Sequence, residues 1–332
     1  SASGSRRSRN PRQTDQGDQE RSAEADKAHA KQIRAKKSGQ QKPTGSKRAT
    51  NRGGRKMKDE LPVALTIAGL DPSGGAGIIA DIKTFTAFSC FATAAVTSLT
   101  FQNTTGVLGA AHQTPETVRD QILPVIEDFR VAGVKTGMLP TREVIAEVAR
   151  LFRETSLPAP VVDPVVRSTS GYDLIDEEAL EALKIELLPL AQVVTPNIPE
   201  AERITGLRIT DEEEMRRAAR IIRELGPRAV LIKGGHLTDE ARDLLDDGKQ
   251  VRVYSAPRIE TRATHGTGCT LSAAIAACLA HGLSLHEAVT RAKDFVTEAI
   301  RHAPLIGHGF HPVNPAYSIR YRWDEMNESE PQ

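Results

Sequence analysis

The residues best suited to chemistry form one run, Thr264-His265-Gly266-Thr267-Gly268-Cys269-Thr270, leading straight into Leu271-Ser272-Ala273-Ala274. A Gly-x-Gly turn that opens a helix leaves several backbone N–H groups aimed at one point. With the helix dipole behind them they make an anion hole, suited to a phosphoryl group in transfer. Cys269 falls in the first turn of that helix, where a lowered thiol pKa and a favoured thiolate are expected. Alone it would read as a small buried thiol. Beside His265 and the two glycines it reads as functional, whereas Cys90 and Cys278 lack such a setting and go to the core.

A second glycine loop reads Gly69-Leu70-Asp71-Pro72-Ser73-Gly74-Gly75-Ala76-Gly77. Gly75-x-Gly77-x-x-Ala80 matches the dinucleotide fingerprint in form, but that fingerprint needs an acidic residue about 20 positions on. No Asp or Glu occurs between Asp81 and Glu116, which counts against NAD. The glycines either join a strand to a helix or let backbone approach a small ligand. No G-x-x-x-x-G-K-[ST] run occurs, so a nucleotide would be held without a P-loop.

A third set stands where short apolar runs end: Asp163 after Val161-Val162, Asn197 and Glu200 after 193–195, and Lys233-Gly234-Gly235 after 230–232. Carboxylates and an amide are hard oxygen ligands that suit Mg²⁺ and its waters. A lysine there can meet nucleotide phosphates as a point charge. Singly, each is a solvated loop residue or a helix cap; their shared position points to a site. Together the three sets suggest Mg²⁺-dependent phosphoryl transfer to a small, mostly uncharged acceptor, with Gln102 and Asn103 on the acceptor side.

The elements that must hold these residues follow from periodicity. Apolar runs at 63–68, 134–136, 161–163, 193–195 and 229–233 predict strands, and amphipathic spacing predicts helices at 77–88, from Thr114-Pro115 and over 142–154. Thr210-x-x-Glu213 reads as a capping box before Met215, Ala218, Ala219, Ile222 and Leu225, and Gly226-Pro227 as the stop. Asp247-Gly248 reads as the turn of a hairpin, and Ser284-x-x-Glu287 as the cap of a last helix. Strands alternating with helices imply an α/β fold whose mostly parallel sheet is covered on both faces, with ligands at the carboxyl ends of the strands.

Composition narrows the class. The chain has 332 residues and a net charge of +1, but residues 1–58 hold 17 Lys/Arg against 5 Asp/Glu, and the other 274 hold 27 against 38. The basic segment has no aromatic residue and little apolar content, so disorder is expected. It ends at the first methionine, Met57, which suggests a start chosen too far upstream or a dispensable arm. Nucleic acid is not expected as a partner, because the arm offers no stacking platform. The three cysteines have no C-x-x-C spacing, which excludes a disulfide framework or zinc ribbon and suits reduced cytoplasmic thiols. Two runs without formal charge, 84–115 and 263–286, read as buried core beside a polar site; no membrane span is expected. Boundaries are placed at 1–58 for the tail, 59–318 for the catalytic domain and 319–332 for a frayed acidic end.

These motifs, with Ala64-Leu65-Thr66-Ile67-Ala68-Gly69, Asp81-Ile82-Lys83-Thr84-Phe85, Gln102-Asn103-Thr104, Lys135-Thr136-Gly137-Met138, Asp163-Pro164-Val165, Thr195-Pro196-Asn197 and Lys233-Gly234-Gly235-His236, resemble the hydroxymethylpyrimidine/phosphomethylpyrimidine kinases of thiamine biosynthesis over 61–315. The resemblance implies a ribokinase-like three-layer sandwich. It also implies ATP, Mg²⁺ and two successive phosphorylations, of the hydroxymethylpyrimidine and then of its monophosphate. Gln102 would read the aminopyrimidine edge, with Gly69, Asp81 and Met138 forming the pocket. Cys269 would be general base or thiolate stabiliser aided by His265, and Gly266, Thr267 and Gly268 would stabilise the transferring phosphoryl group. Lys233, Asn197, Thr195 and Thr264 would bind ATP, and Asp163 and Glu200 the metal. After Asp163-Pro164-Val165 the chain departs from the family with Val166-Arg167-Ser168-Thr169-Ser170-Gly171, where Arg167 either replaces a phosphate-binding lysine or faces solvent. A pyridoxal kinase of the same fold is the alternative, and a homodimer the expected assembly.

Overall fold

The computed structural model of the protein describes residues 61–319 apart from 168–170, 172 and 236–239. Contacts divide the chain into Ser1–Lys58 and Asp59–Gln332, and every described residue belongs to the second unit. The expected disorder of 1–58, the frayed end beyond 319, His236 and Ser168-Thr169-Ser170 lie outside the described residues.

In chain order the elements are β1 (Val63–Leu70), α1 (Gly77–Ala87), β2 (Phe91–Asn103), β3 (Gly106–His112), α2 (Pro115–Asp128), β4 (Val131–Thr136), α3 (Arg142–Glu154), β5 (Val161–Val162) and α4 (Glu177–Ala182). They continue with β6 (Val193–Val194), α5 (Ile198–Thr205), α6 (Glu212–Glu224), β7 (Val230–Gly234), β8 (Glu240–Asp246), β9 (Val251–Pro257), α7 (Thr267–Ala280) and α8 (Leu285–Arg301). The strands form one sheet in the order β3-β2-β1-β4-β5-β6-β7-β8-β9. From β2 to β7 the pairs are parallel, and antiparallel hairpins finish both margins.

The parallel strands are apolar at successive positions because both faces are covered. Side chains alternate across a strand. Leu65, Ile67, Val162, Val194, Val230 and Ile232 enter one core with α2 to α6, while Ala64, Val161, Val193 and Leu231 enter another with α1, α7 and α8. Two apolar layers around one sheet make the expected three-layer sandwich. Burying a side chain such as Leu65 or Leu231 contributes about 1.5–3 kcal/mol, so the two cores dominate the favourable energy of the fold.

Two expectations change. The uncharged run 84–115 is not uniformly buried: it contains β2 and β3, and Leu99, Phe101 and Leu108 on them are exposed. These side chains lie on the two strands at the margin of the sheet, so the lack of charge there does not mark buried core. The other run, 263–286, forms α7, whose residues from Thr270 to Cys278 are all buried. The second change concerns α6, which is capped by Asp211, whose side chain accepts from the Glu214 N–H. Thr210 instead donates its hydroxyl to Glu214, so the cap sits one residue later than Thr210-x-x-Glu213 implied. Among the described residues no helix is long and apolar enough to cross a membrane.

Candidate active site

The strands β1, β4, β5, β6 and β7 all end on the same side of the sheet, so the loops after them meet there with the N-terminus of α7. Gly266 is the N-cap of α7, in the left-handed region with φ +83°, and gives it no side-chain cap. The first N–H groups of α7 therefore have no capping side chain and face outward along the axis. The loop after β1 locks against this turn. A Cβ on Gly266 would lie 1.8 Å from the Gly75 carbonyl oxygen, and a Cβ on Gly75 would lie 2.3 Å from the His265 ring. Glycine is required at both places by this close approach.

His265 is nearly buried and its Nε2 lies 2.8 Å from Asp71 Oδ2. Asp71 also accepts from the Ser73 N–H and hydroxyl and from the Ala76 N–H. Burial works against its charge, but the hydrogen bonds from His265 and Ser73 hold its carboxyl below the ordinary range. On the acceptor side the Gln102 amide nitrogen is 3.5 Å from His265 Nε2, and Thr100 donates to Gln102 Oε1. A register shift between Phe101 and Gln102 re-aims that side chain at the end of β2. Met138, almost fully buried, rests its sulfur 3.1 Å from where a Gly69 Cβ would stand, so the missing side chain at 69 makes room for it.

Beneath the turn, Asp81 is paired with Lys135, a residue of the Lys135-Thr136-Gly137-Met138 motif that had been given no role. Lys135 Nζ is 2.8 Å from Asp81 Oδ2, both side chains are 0% exposed, and Thr66 donates to the same oxygen. Burial works against the Lys135 ammonium, but the charges of Asp81 and Asp163 hold it above its ordinary range. Asp81, expected in the pocket wall, is wholly taken up by Lys135 and Thr66 and supports the site from below. The signal was available: a lysine inside the apolar run of β4 needs a buried counter-charge.

Cys269 departs from expectation in its acidity. Burial pushes its thiol up to about 11; Lys135 opposes this, and Asp81 and Asp163 reinforce it. Burial and two carboxylates outweigh the helix N-terminus, so at rest the group is a thiol. Cys90 and Cys278 are buried in the core, as expected.

The nucleotide side is organised around Asp163. Lys233 Nζ donates to Asp163 Oδ1 at 3.0 Å and stands 3.9 Å from Glu200 Oε2. Thr195 and Ser272 hydroxyls lie 3.4 Å from the two Asp163 oxygens. Thr195 is fully buried, so it faces Asp163 and not a ligand surface. Asn197 and Glu200 form a reciprocal capping box on α5, which occupies the Asn197 side chain that was expected at phosphate or metal. Burial and the Asp163 charge push Glu200 up to about 7. Thr267 donates to the carbonyl of the exposed Thr264 at the mouth of the turn. Arg167 is exposed and paired with Asp173 at 2.8 Å, the solvent-facing alternative.

No group of three or more His, Cys, Asp or Glu occurs that could hold a metal among the described residues. The donor set nonetheless fits Mg²⁺, which takes one or two carboxylates plus substrate phosphates and waters. Asp163 and Glu200 are two such carboxylates sharing the single ammonium of Lys233.

Residues 71–314 match the phosphomethylpyrimidine kinase family. The chain is 46% identical over 258 residues to the hydroxymethylpyrimidine/phosphomethylpyrimidine kinase of Streptomyces coelicolor, covering 78% of this chain and 96% of that protein. It is 49% identical over 251 residues to a thiamine biosynthesis bifunctional protein of Geobacter sulfurreducens, covering 75% of this chain. The match takes in 51% of that relative, so the chain spans about half of its length. In fold it is similar to the ADP complex of Bacillus subtilis pyridoxal kinase, with TM-score 0.71, 36% identity and coverage of 77% and 98% of the two chains. With its glycine turn, cysteine and paired carboxylates on one sheet edge, this chain belongs to the phosphomethylpyrimidine kinase family.

Proposed function

We propose that the protein uses ATP to phosphorylate 4-amino-5-hydroxymethyl-2-methylpyrimidine and then the resulting monophosphate, giving the pyrimidine diphosphate of thiamine biosynthesis. One juxtaposition carries this reading. The 265–269 turn touches Gln102 through His265 on one side and Lys233 at Gly268 on the other, so acceptor and phosphate chemistries share one anion hole. The 46% identity to the hydroxymethylpyrimidine/phosphomethylpyrimidine kinase of Streptomyces coelicolor, against 36% to the Bacillus subtilis pyridoxal kinase, supports the pyrimidine as acceptor.

In this reading Gln102 orients the pyrimidine edge beside Met138, and the open N–H groups of 266–269 receive the γ-phosphoryl group. The acceptor oxygen bonds to the γ-phosphorus while the bond to the β–γ bridging oxygen breaks and ADP leaves. Because Cys269 rests as a thiol, it first gives its own proton to solvent, and the thiolate so formed takes the acceptor's hydroxyl proton. The Asp71 carboxylate holds the His265 ring across the turn, and the Lys135–Asp81 pair fixes charge below it. Such fixed donors act on charge as it develops, the main catalytic lever in phosphoryl transfer. Asp163 and Glu200 would hold Mg²⁺, which when bound neutralises phosphate oxygens. Thr195 backs Asp163, Asn197 fixes Glu200, and Thr264 and Thr267 shape the mouth. A homodimer would cover the exposed Leu99, Phe101 and Leu108, and three free cysteines suit the cytoplasm.

Phosphorus NMR of ATP incubated with the hydroxymethylpyrimidine tests the reading. A monophosphate signal that gives way to a diphosphate is expected; ADP formation without either product would contradict it.

A further inference from the structure

Lys233 lies at the only place where the two halves of the phosphate site meet among the described residues. Its ammonium is 3.0 Å from Asp163 and 3.9 Å from Glu200, and it would lie 3.1 Å from a Cβ on Gly268 in the anion-hole turn. The side chain is 15% exposed, and both carboxylate side chains are more buried still, at 3% and 6%. Burying two carboxylates that share one ammonium is costly unless a cation pairs with them. Lys233 is the cation that serves both. Its approach to Gly268 also sets it beside the turn proposed to receive the γ-phosphoryl group.

We propose that Lys233 is a resident counter-cation: in the nucleotide-free protein its ammonium stands in for the divalent metal at Asp163 and Glu200, and it moves off these carboxylates when the metal binds. The same lysine then has two partners in turn, the carboxylates at rest and the phosphate oxygens once nucleotide is bound. The backbone favours such a swing. The Lys233 N–H is fixed to the Pro196 carbonyl, so β7 stays in place and only the flexible side chain exchanges partners. The inference rests on the proposed kinase reading for the nature of the metal and the phosphate. It goes beyond that reading by assigning Lys233 a role against metal binding when nucleotide is absent.

The test is calorimetric titration of Mg²⁺ into the nucleotide-free full chain. A cation at this distance opposes a second one strongly, so K233M is expected to bind Mg²⁺ at least about tenfold more tightly than the native chain. K233R keeps the charge and is expected to stay within about threefold of the native chain. Equal Kd values for K233M and the native chain would overturn the proposal. Should K233M fail to melt cooperatively, the native chain decides through acylation of Lys233 followed by peptide mass spectrometry. Saturating Mg²⁺ without nucleotide is expected to raise that acylation rate, and an unchanged rate would overturn the proposal. A native chain with this Mg²⁺ response that phosphorylates no pyrimidine would contradict the proposed substrate and support the role of Lys233. A chain that makes the pyrimidine diphosphate but shows no Mg²⁺ difference would overturn the role of Lys233 alone.

Discussion

Cys269 shows how a residue's surroundings can reverse what its helix position suggests. The first turn of α7 favours a thiolate, yet burial and the carboxylates of Asp81 and Asp163 push the thiol up to about 11. The sign is direct: an acid with a raised pKa stays protonated at neutral pH, so the reactive form grows as pH rises toward 11. Alkylation of Cys269 by iodoacetamide in the ligand-free protein is therefore expected to quicken about tenfold per pH unit above neutrality. A rate already at its plateau at pH 7 would contradict this. As the proton acceptor, Cys269 should matter in the transition state more than in binding. Cys269→Ala is expected to lower kcat by about 10²–10⁴ with little change in KM. Near-native turnover would remove its catalytic role. The cysteine, its glycines and His265 were legible because a reactive residue at a helix start is a local pattern. The Lys135–Asp81 pair was half legible: a lysine in an apolar run calls for a counter-charge, but the partner is 54 residues away in the chain and is met only through the fold.

At the scale of elements, α7 and the loop after β1 form one unit, since Gly75 and Gly266 interlock. Gly266→Ala puts a side chain on a backbone with φ +83° and against the Gly75 carbonyl. The strain alone costs about 1–2 kcal/mol, and relieving the clash must move the anion hole. A lower Tm together with a loss of at least about 10² in kcat is expected, read by thermal denaturation and steady-state kinetics. Native kcat in that variant would show that the turn does not need this geometry. The parallel strands were legible because burial on two faces makes them continuous apolar runs. The β2–β3 hairpin was not read, because its small uncharged residues alternate weakly and its turn, Thr104-Thr105, is not a strong hairpin signal. Asn197 was read as a ligand for a related reason: strand-end position alone does not tell a cap from a metal or phosphate contact. Its side chain closes a capping box on α5.

The whole molecule combines a basic segment of net +12 with a remainder of net −11 that holds every site residue. Phosphate binding in an acidic domain must rest on local geometry, here the α7 turn and Lys233, and not on bulk charge. The family match begins at residue 71, so deletion of 1–56 is expected to leave kcat and KM unchanged. A large loss of activity would assign the segment a part in catalysis. The family was legible from motif order across the chain. The acidity of Cys269 and the sharing of Lys233 between two carboxylates were not, because both are properties of three-dimensional proximity. The central claim is the identity of the acceptor, and kcat/KM for the hydroxymethylpyrimidine and for pyridoxal, measured in one ADP-coupled assay, tests it most directly. A larger value for the hydroxymethylpyrimidine is predicted; a larger value for pyridoxal would contradict the account.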